Sequence, residues 1–327
     1  MILSGDIGGT KSRLALFEPR GDLLSPVVVK SFLSQAYGSL NELVEELLAE
    51  HRVPVCCAAF GIAGPIVDGR SKLTNLGWDV DSREVAALLN LERVGLLNDL
   101  EATAYGTLRL QDTEKVTLQA GSRQENRPIA VIAAGTGLGE GALMWDGTRY
   151  RSIPSEGGHT DFGPRNELEI ELLRFLLRKY RRVSYERIVC GPGLLNLYEF
   201  FRTRADYAEP DWLRERMSLG DRAASISEAA LAGSDQACVN ALDMFVSLYG
   251  AEAGNLALKI LATGGVFVGG GIAPKILEKI RQGAFMASFV QKGRYQALLE
   301  RVPVQVVTNE KTALLGAAHF ALILREL

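Results

Sequence analysis

The chain has 327 residues, enough for two domains with separate cores, and its hydrophobic content of 47% and charged content of 23% are typical of globular proteins. Its net charge of −3 argues against a nucleic-acid binder held by phosphate contacts. The longest apolar stretch, residues 260–271, is too short and too rich in glycine to span a membrane, so we expect neither a nucleic-acid nor a membrane partner.

The first third of the chain alternates strand and helix patterns. Strands are predicted at residues 2–5, 13–17, 27–31, 55–62, 71–74 and 94–97. Helices are predicted at residues 40–51, 82–89 and 100–108. This alternation predicts an α/β domain with mixed strand directions.

Helices dominate the rest of the chain, which begins with a weak boundary at residues 111–114. Strands are predicted at residues 129–133, 141–145 and 304–307, and residues 264–271 are predicted to form a strand that runs into a loop. Helices are predicted at residues 167–180, 193–203, 223–231, 235–261, 274–280 and 311–325, and Pro274 is expected at the first turn of its helix. We expect a small domain of residues 1–109 plus 301–327 and a large domain of residues 110–300.

The cysteines indicate a reducing compartment. Cys56 and Cys57 are adjacent in an apolar segment, and Cys190 and Cys238 stand alone, without the spacing of a metal site or a disulfide framework. We expect reduced, mostly buried thiols. No secretory signal precedes the first strand, so a cytoplasmic location is expected.

A glycine-rich turn between two apolar strands occurs twice. The first contains Gly5, Asp6, Ile7, Gly8, Gly9, Thr10 and Lys11, and the second contains Gly135, Thr136 and Gly137. Successive backbone N–H groups in such a turn can bind an anion. Glycine is also the usual residue of any tight hairpin, which is the structural alternative. The pair predicts a phosphate-rich ligand bound from both sides of a cleft.

Several polar residues lie where chemistry is expected. Asn98 and Asp99 follow the strand at residues 94–97; Asn98 with Glu101 forms a capping-box pattern, which does not explain Asp99. Glu156 and His159 lie in a glycine-rich loop, for which an ordinary surface loop is the alternative. Taken alone, Glu186 is a solvated helix residue.

Together these motifs resemble a known family. The first turn resembles the phosphate loop of the hexokinase, actin and Hsp70 superfamily. Residues 97–106, 155–162, 185–198, 263–272 and 309–318 are similar to segments of the bacterial glucokinases. The resemblance covers essentially the whole chain, in order. It implies a two-domain actin-like ATPase (ribonuclease H-like) α/β fold, in which each domain has a mixed sheet flanked by helices and the active site lies in the interdomain cleft.

The resemblance also implies roles for individual residues. Asp99 would be the catalytic base in the transfer of a phosphoryl group from ATP to the 6-hydroxyl of glucose. The sugar ligands would be Asn98, Glu156, His159 and Glu186. The two turns would hold the phosphates, Asp6 would orient Mg²⁺ through water, and the adenosine would lie against Gly269, Gly270 and Gly271. A homodimer is expected on the same basis.

Other functions also fit the sequence. A kinase of another hexose or amino sugar would use the same fold, and a catalytically silent sugar-sensing regulator would bind the same ligands without turnover. The related ROK sugar kinases carry a cysteine-rich zinc motif that is absent after His159. A Rossmann oxidoreductase is disfavoured because a strand rather than a helix follows the first turn. The sequence alone fits ATP, ADP or polyphosphate as the phosphoryl donor.

Overall fold

A computed structural model describes residues 1–21, 23–205 and 207–326. These residues form two compact units. The first consists of Met1–Glu114, Ser152–Pro154 and the chain from Asn309 onward, and the second of Lys115–Arg151 and Ser155–Thr308. The predicted domain boundaries at residues 109/110 and 300/301 stay a prediction. The last residue of the predicted small domain, Leu327, lies outside the described residues.

Strands and helices alternate along the first part of the chain, and helices predominate after it. The strands are β1 (Ile2–Ile7), β2 (Lys11–Arg20), β3 (Leu23–Leu33), β4 (Cys57–Ile62), β5 (Arg70–Leu73), β6 (Trp78–Asp81), β7 (Gly95–Asn98), β8 (Lys115–Gln119), β9 (Ile129–Ala134), β10 (Leu138–Trp145), β11 (Tyr150–Ile153), β12 (Gly265–Gly269) and β13 (Val304–Val307). The helices are α1 (Leu40–His51), α2 (Ser82–Leu89), α3 (Asp99–Thr107), α4 (Glu167–Leu177), α5 (Gly191–Arg204), α6 (Asp211–Leu219), α7 (Arg222–Leu231), α8 (Gln236–Ile260), α9 (Leu277–Arg281), α10 (Ala284–Val290), α11 (Gln296–Leu299) and α12 (Thr312–Arg325).

The first unit is built on a mixed sheet with the order β3-β2-β1-β4-β7. The hairpin partners β1, β2 and β3 are antiparallel, whereas β1, β4 and β7 run parallel. Leu3, Phe60 and Val44 belong to a core formed between this sheet and its helices. Alternation of strand and helix in the sequence places helices against such a sheet, which confirms the predicted α/β class.

Helices α3 and α12 of the first unit approach each other closely at two glycines. A Cβ on Gly106 would overlap the Thr312 carbonyl oxygen, and a Cβ on Gly316 would overlap the Ala102 carbonyl oxygen. Glycine at these positions therefore lets the two helix backbones touch, and α12 also packs on β1 and β4.

The second unit has a mixed sheet with the order β11-β10-β9-β12-β13-β8. Strands β9, β12 and β13 are parallel, and β10 returns antiparallel to β9. The long helix α8 is the centre of the core, with Phe245 and Tyr249 buried in it. No helix among the described residues is both long and apolar enough to cross a membrane.

The structure differs from the predicted elements at several ends. The helix predicted at residues 274–280 begins only at Leu277, because Pro274 lies in a preceding run of turns. The helix predicted to end at residue 180 ends at Leu177. Short elements such as α6 and β8 were not predicted, since few periodic apolar residues mark them. The cysteine prediction is confirmed: all four thiols are free, and all but Cys56 are buried.

Candidate active site

The carboxyl ends of β1, β4 and β7 form one edge of the sheet in the first unit. In register, Ile7 of β1 lies beside Ile62 of β4, which lies beside Asn98 of β7. Asp6 directly precedes Ile7, and Asp99 directly follows Asn98 as the first residue of α3. Ligands of open α/β sheets bind beyond the carboxyl ends of the strands. Two of the predicted acids therefore lie where a ligand is expected.

Asp6 is partly buried and lies in the field of a second acid. Burial raises the pKa of Asp6 above its ordinary value of 3.8, the Arg13 guanidinium opposes that rise, and the Asp99 carboxylate adds to it. Arg13 is the partner of Asp6 across the β1–β2 hairpin. A carboxylate in this setting gains from a nearby cation, and its oxygen atoms are hard ligands of the type that divalent cations prefer.

Asn98 caps helix α3. Its Oδ1 accepts a hydrogen bond from the Leu100 N–H at 2.9 Å, and Glu101 Oε2 accepts one from the Asn98 N–H at 3.1 Å, so the predicted capping box is formed. The Asn98 amide nitrogen donates to the Gly64 carbonyl oxygen at 3.2 Å. Asp99 is exposed at the helix N-terminus, where the helix dipole stabilises its negative charge.

The first glycine-rich turn is held by a serine from another segment. The Ser34 hydroxyl donates to the Gly8 carbonyl oxygen at 2.7 Å, and the Ser34 backbone N–H donates to the Thr10 carbonyl oxygen at 3.0 Å. Ser12 lies 2.9 Å from Ser34, hydroxyl to hydroxyl. Ser34 is buried, whereas Thr10 and Lys11 are exposed. The turn conformation therefore depends on a residue that sequence analysis did not identify.

Not every residue of the first turn faces outward. Gly5 and Ile7 are buried within β1, and a Cβ on Gly5 would lie 2.9 Å from the Leu14 Cδ2 and still closer to Phe60. Packing therefore accounts for the glycine at this position. Gly9 has room for a Cβ, 3.8 Å from Asn75.

The second glycine-rich turn, at residues 135–137, lies at the carboxyl end of β9. Strand β12 runs beside β9, with Gly269 in register with Ala133, so the predicted Gly269–Gly271 loop leaves the sheet at the same edge. Gly270 has a φ of 82°, and a Cβ there would overlap the Ala134 carbonyl oxygen. Both predicted nucleotide-binding segments of the second unit are therefore neighbours.

The buried hydroxyl of Tyr249 on α8 is hydrogen-bonded at the start of both loops. It accepts a hydrogen bond from the Ala134 N–H at 3.1 Å and is within donating distance of the carbonyl oxygens of Gly269, at 3.1 Å, and Ile132, at 3.2 Å. Burial raises the pKa of Tyr249, so the phenol stays protonated. No sequence pattern marks this tyrosine, because its role depends on contacts more than 100 residues away in the chain.

Three predicted ligands converge beside the second turn. His159 Nδ1 lies 3.8 Å from Glu186 Oε1, and His159 Nε2 lies 3.9 Å from Glu156 Oε2. Glu186 Oε2 accepts a hydrogen bond from the Leu138 N–H at 3.1 Å, where the second turn joins β10. Glu156 and His159 are exposed and Glu186 is half-buried. The arrangement gathers hydrogen-bonding groups suited to a polyhydroxylated ligand.

The glycines around this cluster are explained by close packing. A Cβ on Gly158 would overlap the Leu138 carbonyl oxygen, and a Cβ on Gly137 would lie 2.5 Å from Glu186 Oε2. The loop approaches the hairpin this closely because Gly158 lacks a side chain, whereas at Gly137 a shift of the Glu186 side chain would make room for a Cβ. Within residues 1–21, 23–205 and 207–326, no group of three His, Cys, Asp or Glu side chains is placed to hold a metal ion.

Comparison with known proteins gives a consistent result. A family profile described as glucokinase matches residues 3–323. A glucokinase from Nostoc sp. is 43% identical over 97% of this chain and 98% of its own length.

Solved structures agree with this match. The crystal structure of glucokinase from an Antarctic psychrotroph has a TM-score of 0.90 and 32% identity, and 98% of each chain is covered. A ROK family glucokinase from Streptomyces griseus, in complex with glucose and AMPPNP, has a TM-score of 0.65 at 22% identity and covers 98% of this chain and 99% of its own. These likenesses confirm the predicted actin-like ATPase class of α/β fold.

Proposed function

The chain belongs to the glucokinase family, and on this premise we propose that it transfers the γ-phosphoryl group of ATP to the 6-hydroxyl of glucose. The observation that supports this most directly is the cluster of Glu156, His159 and Glu186 against the hairpin that starts β10. Sugar-binding groups next to a phosphate-type turn are what such a reaction requires.

We propose Asn98, Glu156, His159 and Glu186 as the glucose ligands. A hexose presents a ring of hydroxyl groups that both donate and accept, and carboxylates, an amide and an imidazole can pair with them. A sugar with one displaced hydroxyl would leave a polar group unpaired, which costs much more than a lost apolar contact. Strong discrimination between epimers is therefore expected.

Asp99 is the proposed base. A carboxylate is too weak to remove the proton of a free alcohol, so proton transfer to Asp99 comes late, while the bond between the sugar oxygen and phosphorus forms. Asp99 lies in the first turn of α3, where the helix dipole favours negative charge. Most of the rate enhancement then comes from alignment and from neutralisation of phosphate charge.

The two glycine-rich turns are proposed to hold the phosphates through backbone N–H groups, with the adenosine on the Gly269–Gly271 loop. Bound Mg²⁺ would supply neutralisation of phosphate charge. Asp6 fits such an ion, because its burial and the nearby Asp99 charge both favour a compensating cation. Asp6 would orient it through water, and Lys11, exposed on the turn, would add positive charge.

A coupled assay tests the function. ADP formation from Mg-ATP is followed with glucose, mannose, fructose and N-acetylglucosamine in parallel, and turnover on glucose is expected. If only another sugar is phosphorylated, that sugar replaces glucose as the proposed substrate. Glucose binding without turnover on any sugar would favour a sensor instead. Repeating the glucose reaction with ADP or polyphosphate as donor decides which donor is used.

We also propose a homodimer in the cytoplasm. The free thiols of Cys57, Cys190 and Cys238 suit a reducing compartment. Sedimentation velocity at several protein concentrations tests the dimer, and a monomer at all of them would refute it.

A further inference from the structure

A carboxylic acid is buried directly beneath the loop of the predicted glucose ligands. Glu140 lies on β10, two residues after Leu138, and is 1% exposed. Neither of its carboxyl oxygens has a hydrogen-bond donor in the structure. An ionised carboxylate without donors is very costly to bury, so Glu140 is expected to be neutral.

Glu140 packs against the backbone of the glucose-binding loop. A Cβ added to Gly157 would lie 3.0 Å from the Glu140 carboxyl carbon and 3.1 Å from its Cβ, and closer still to Oε2. Gly157 and Gly158 separate Glu156 from His159. The loop therefore rests on the Glu140 side chain at its buried centre, between the two residues proposed to bind sugar.

Helix α8 carries a second buried acid, Glu252, in the neighbourhood of Glu140. Glu252 is fully buried, and its carboxylate accepts hydrogen bonds from Lys259 Nζ at 3.0 Å and from the Asn255 side chain at 2.7 Å. Burial and the nearby Glu252 raise the pKa of Glu140 to about 8, and the Lys259 charge lowers it. Two adjacent buried acids share one proton more easily than they carry two charges.

The same buried cluster reaches the segment that carries Glu186. Asn255 donates to the Tyr185 hydroxyl at 3.1 Å, and Tyr185 immediately precedes Glu186. Lys292 Nζ donates to Asn255 Oδ1 at 2.5 Å. The titratable groups around the pair are therefore Lys259 and Tyr249 from α8, Tyr185, and Lys292 beyond Asn255.

We propose that Glu140 is a positioning residue for glucose binding: as a neutral acid it donates a hydrogen bond to the Glu252 carboxylate and thereby supports Gly157, Glu156 and His159. The inference rests on the proposed function. Ionisation of Glu140 at alkaline pH would place two negative charges under the loop, so glucose affinity would fall as the pH rises through about 8.

Two variants distinguish the effect of the Glu140 proton from the effect of the Glu140 side-chain packing. Glu140→Gln keeps the shape and a donor but cannot ionise, so it should bind glucose within about twofold of the wild type at pH 7, without the alkaline loss. Glu140→Leu removes the donor, so KM for glucose should rise about tenfold or more, with a smaller change in kcat. Asp235→Asn, at another buried acid of the same unit, is the control and should leave KM unchanged.

Infrared difference spectroscopy of the full chain gives a readout that needs no activity. The wild type minus Glu140→Gln spectrum at pH 7 should show the carbonyl stretch of a protonated carboxylic acid, which disappears as the pH passes about 8. Absence of this band would overturn the proposal, even if Glu140→Leu failed to fold. An unchanged glucose KM in a folded Glu140→Leu protein would overturn it equally.

Failure of the proposed function is distinguishable from failure of this inference. Glucose turnover by the wild type tests the function, whereas the ratio of variant to wild type tests Glu140. If the wild type phosphorylates no sugar, glucose dissociation constants measured by calorimetry replace KM in the comparison.

Discussion

Asp99 is the residue on which the proposed chemistry depends. Replacing it in Asp99→Ala removes the proton acceptor but no proposed sugar ligand, so kcat should fall by about a thousandfold or more while glucose affinity changes little. Steady-state kinetics with Mg-ATP, together with calorimetric glucose binding, measure both. Glu92→Ala, an exposed acid of the same unit, is the control and should match the wild type. An effect of Asp99→Ala confined to KM would remove Asp99 from the base role.

Glu186 should act on binding rather than on turnover. Its carboxylate accepts from the Leu138 N–H and faces His159, and Glu186→Gln keeps the shape while removing the charge. KM for glucose should rise about tenfold, the scale of one weakened charged hydrogen bond. Glu171→Gln, at a surface ion pair on α4, is the matched control. If both variants keep the wild-type KM, Glu186 is not a glucose ligand.

Glu140 should make stability depend on pH in a defined direction. Its pKa is about 8 in the folded chain against an ordinary 4.5, so unfolding releases a proton between these values. The contribution of Glu140 to the free energy of unfolding is therefore fully present below pH 4.5. It is lost as the pH rises to about 8, and the free energy of unfolding falls by about 1.4 kcal/mol per pH unit over this range.

Comparing Tm profiles of the wild type and Glu140→Gln isolates that slope. His319, whose pKa is lowered to about 4 by burial and by Arg109, gives the opposite slope between about pH 4 and 6.5 in both proteins and cancels in the difference. A difference in Tm that stays constant from pH 5 to 8 would mean that Glu140 does not hold a proton in the folded chain.

At the scale of elements, the approach of the loop at residues 156–159 to the β9–β10 hairpin positions the proposed sugar ligands. Gly158→Ala would place a methyl group on the Leu138 carbonyl oxygen, so loop and strand must separate. We expect a loss of about 1–3 kcal/mol in the free energy of unfolding, and a higher KM for glucose. Gly163→Ala is the control in the same segment, because its Cβ would meet Tyr185 only at 3.9 Å. Equal Tm values for the two variants would contradict the close contact.

Element identity could largely be predicted from the sequence, and element ends less well. The capping box of Asn98 and Glu101 is local, and the structure confirms it. The start of α9 at Leu277 instead of residue 274 depends on how the preceding turns pack beside Ala134. The Ile272 N–H donates to the Ala134 carbonyl oxygen at 3.2 Å. Local pattern carries no information about such a partner.

At the scale of the whole molecule, ligand binding should appear as added stability. A ligand that binds only the folded state raises the free energy of unfolding by about 2.7 kcal/mol at 100 times its dissociation constant. Saturating glucose should therefore raise Tm in the wild type and in Asp99→Ala alike, and galactose, the 4-epimer, should not. An equal shift with galactose would show that the proposed ligands do not select the hydroxyl pattern.

The sequence by itself determined the features that local chemistry sets. The two glycine-rich turns, the cap of α3 and the acid beside it follow from residue types at short spacing, and the order of motifs identified the family. Each of these depends on backbone conformation within a few residues, which neighbouring residue types restrict directly.

Only the tertiary structure decided which distant groups meet. Three contacts join segments that are far apart in the chain or on different elements: His159 with Glu186, Ser34 with the first turn, and Glu140 with Gly157. Burial and charge environment arise from this packing, and they raise the pKa of Glu140 far above that of an ordinary glutamate.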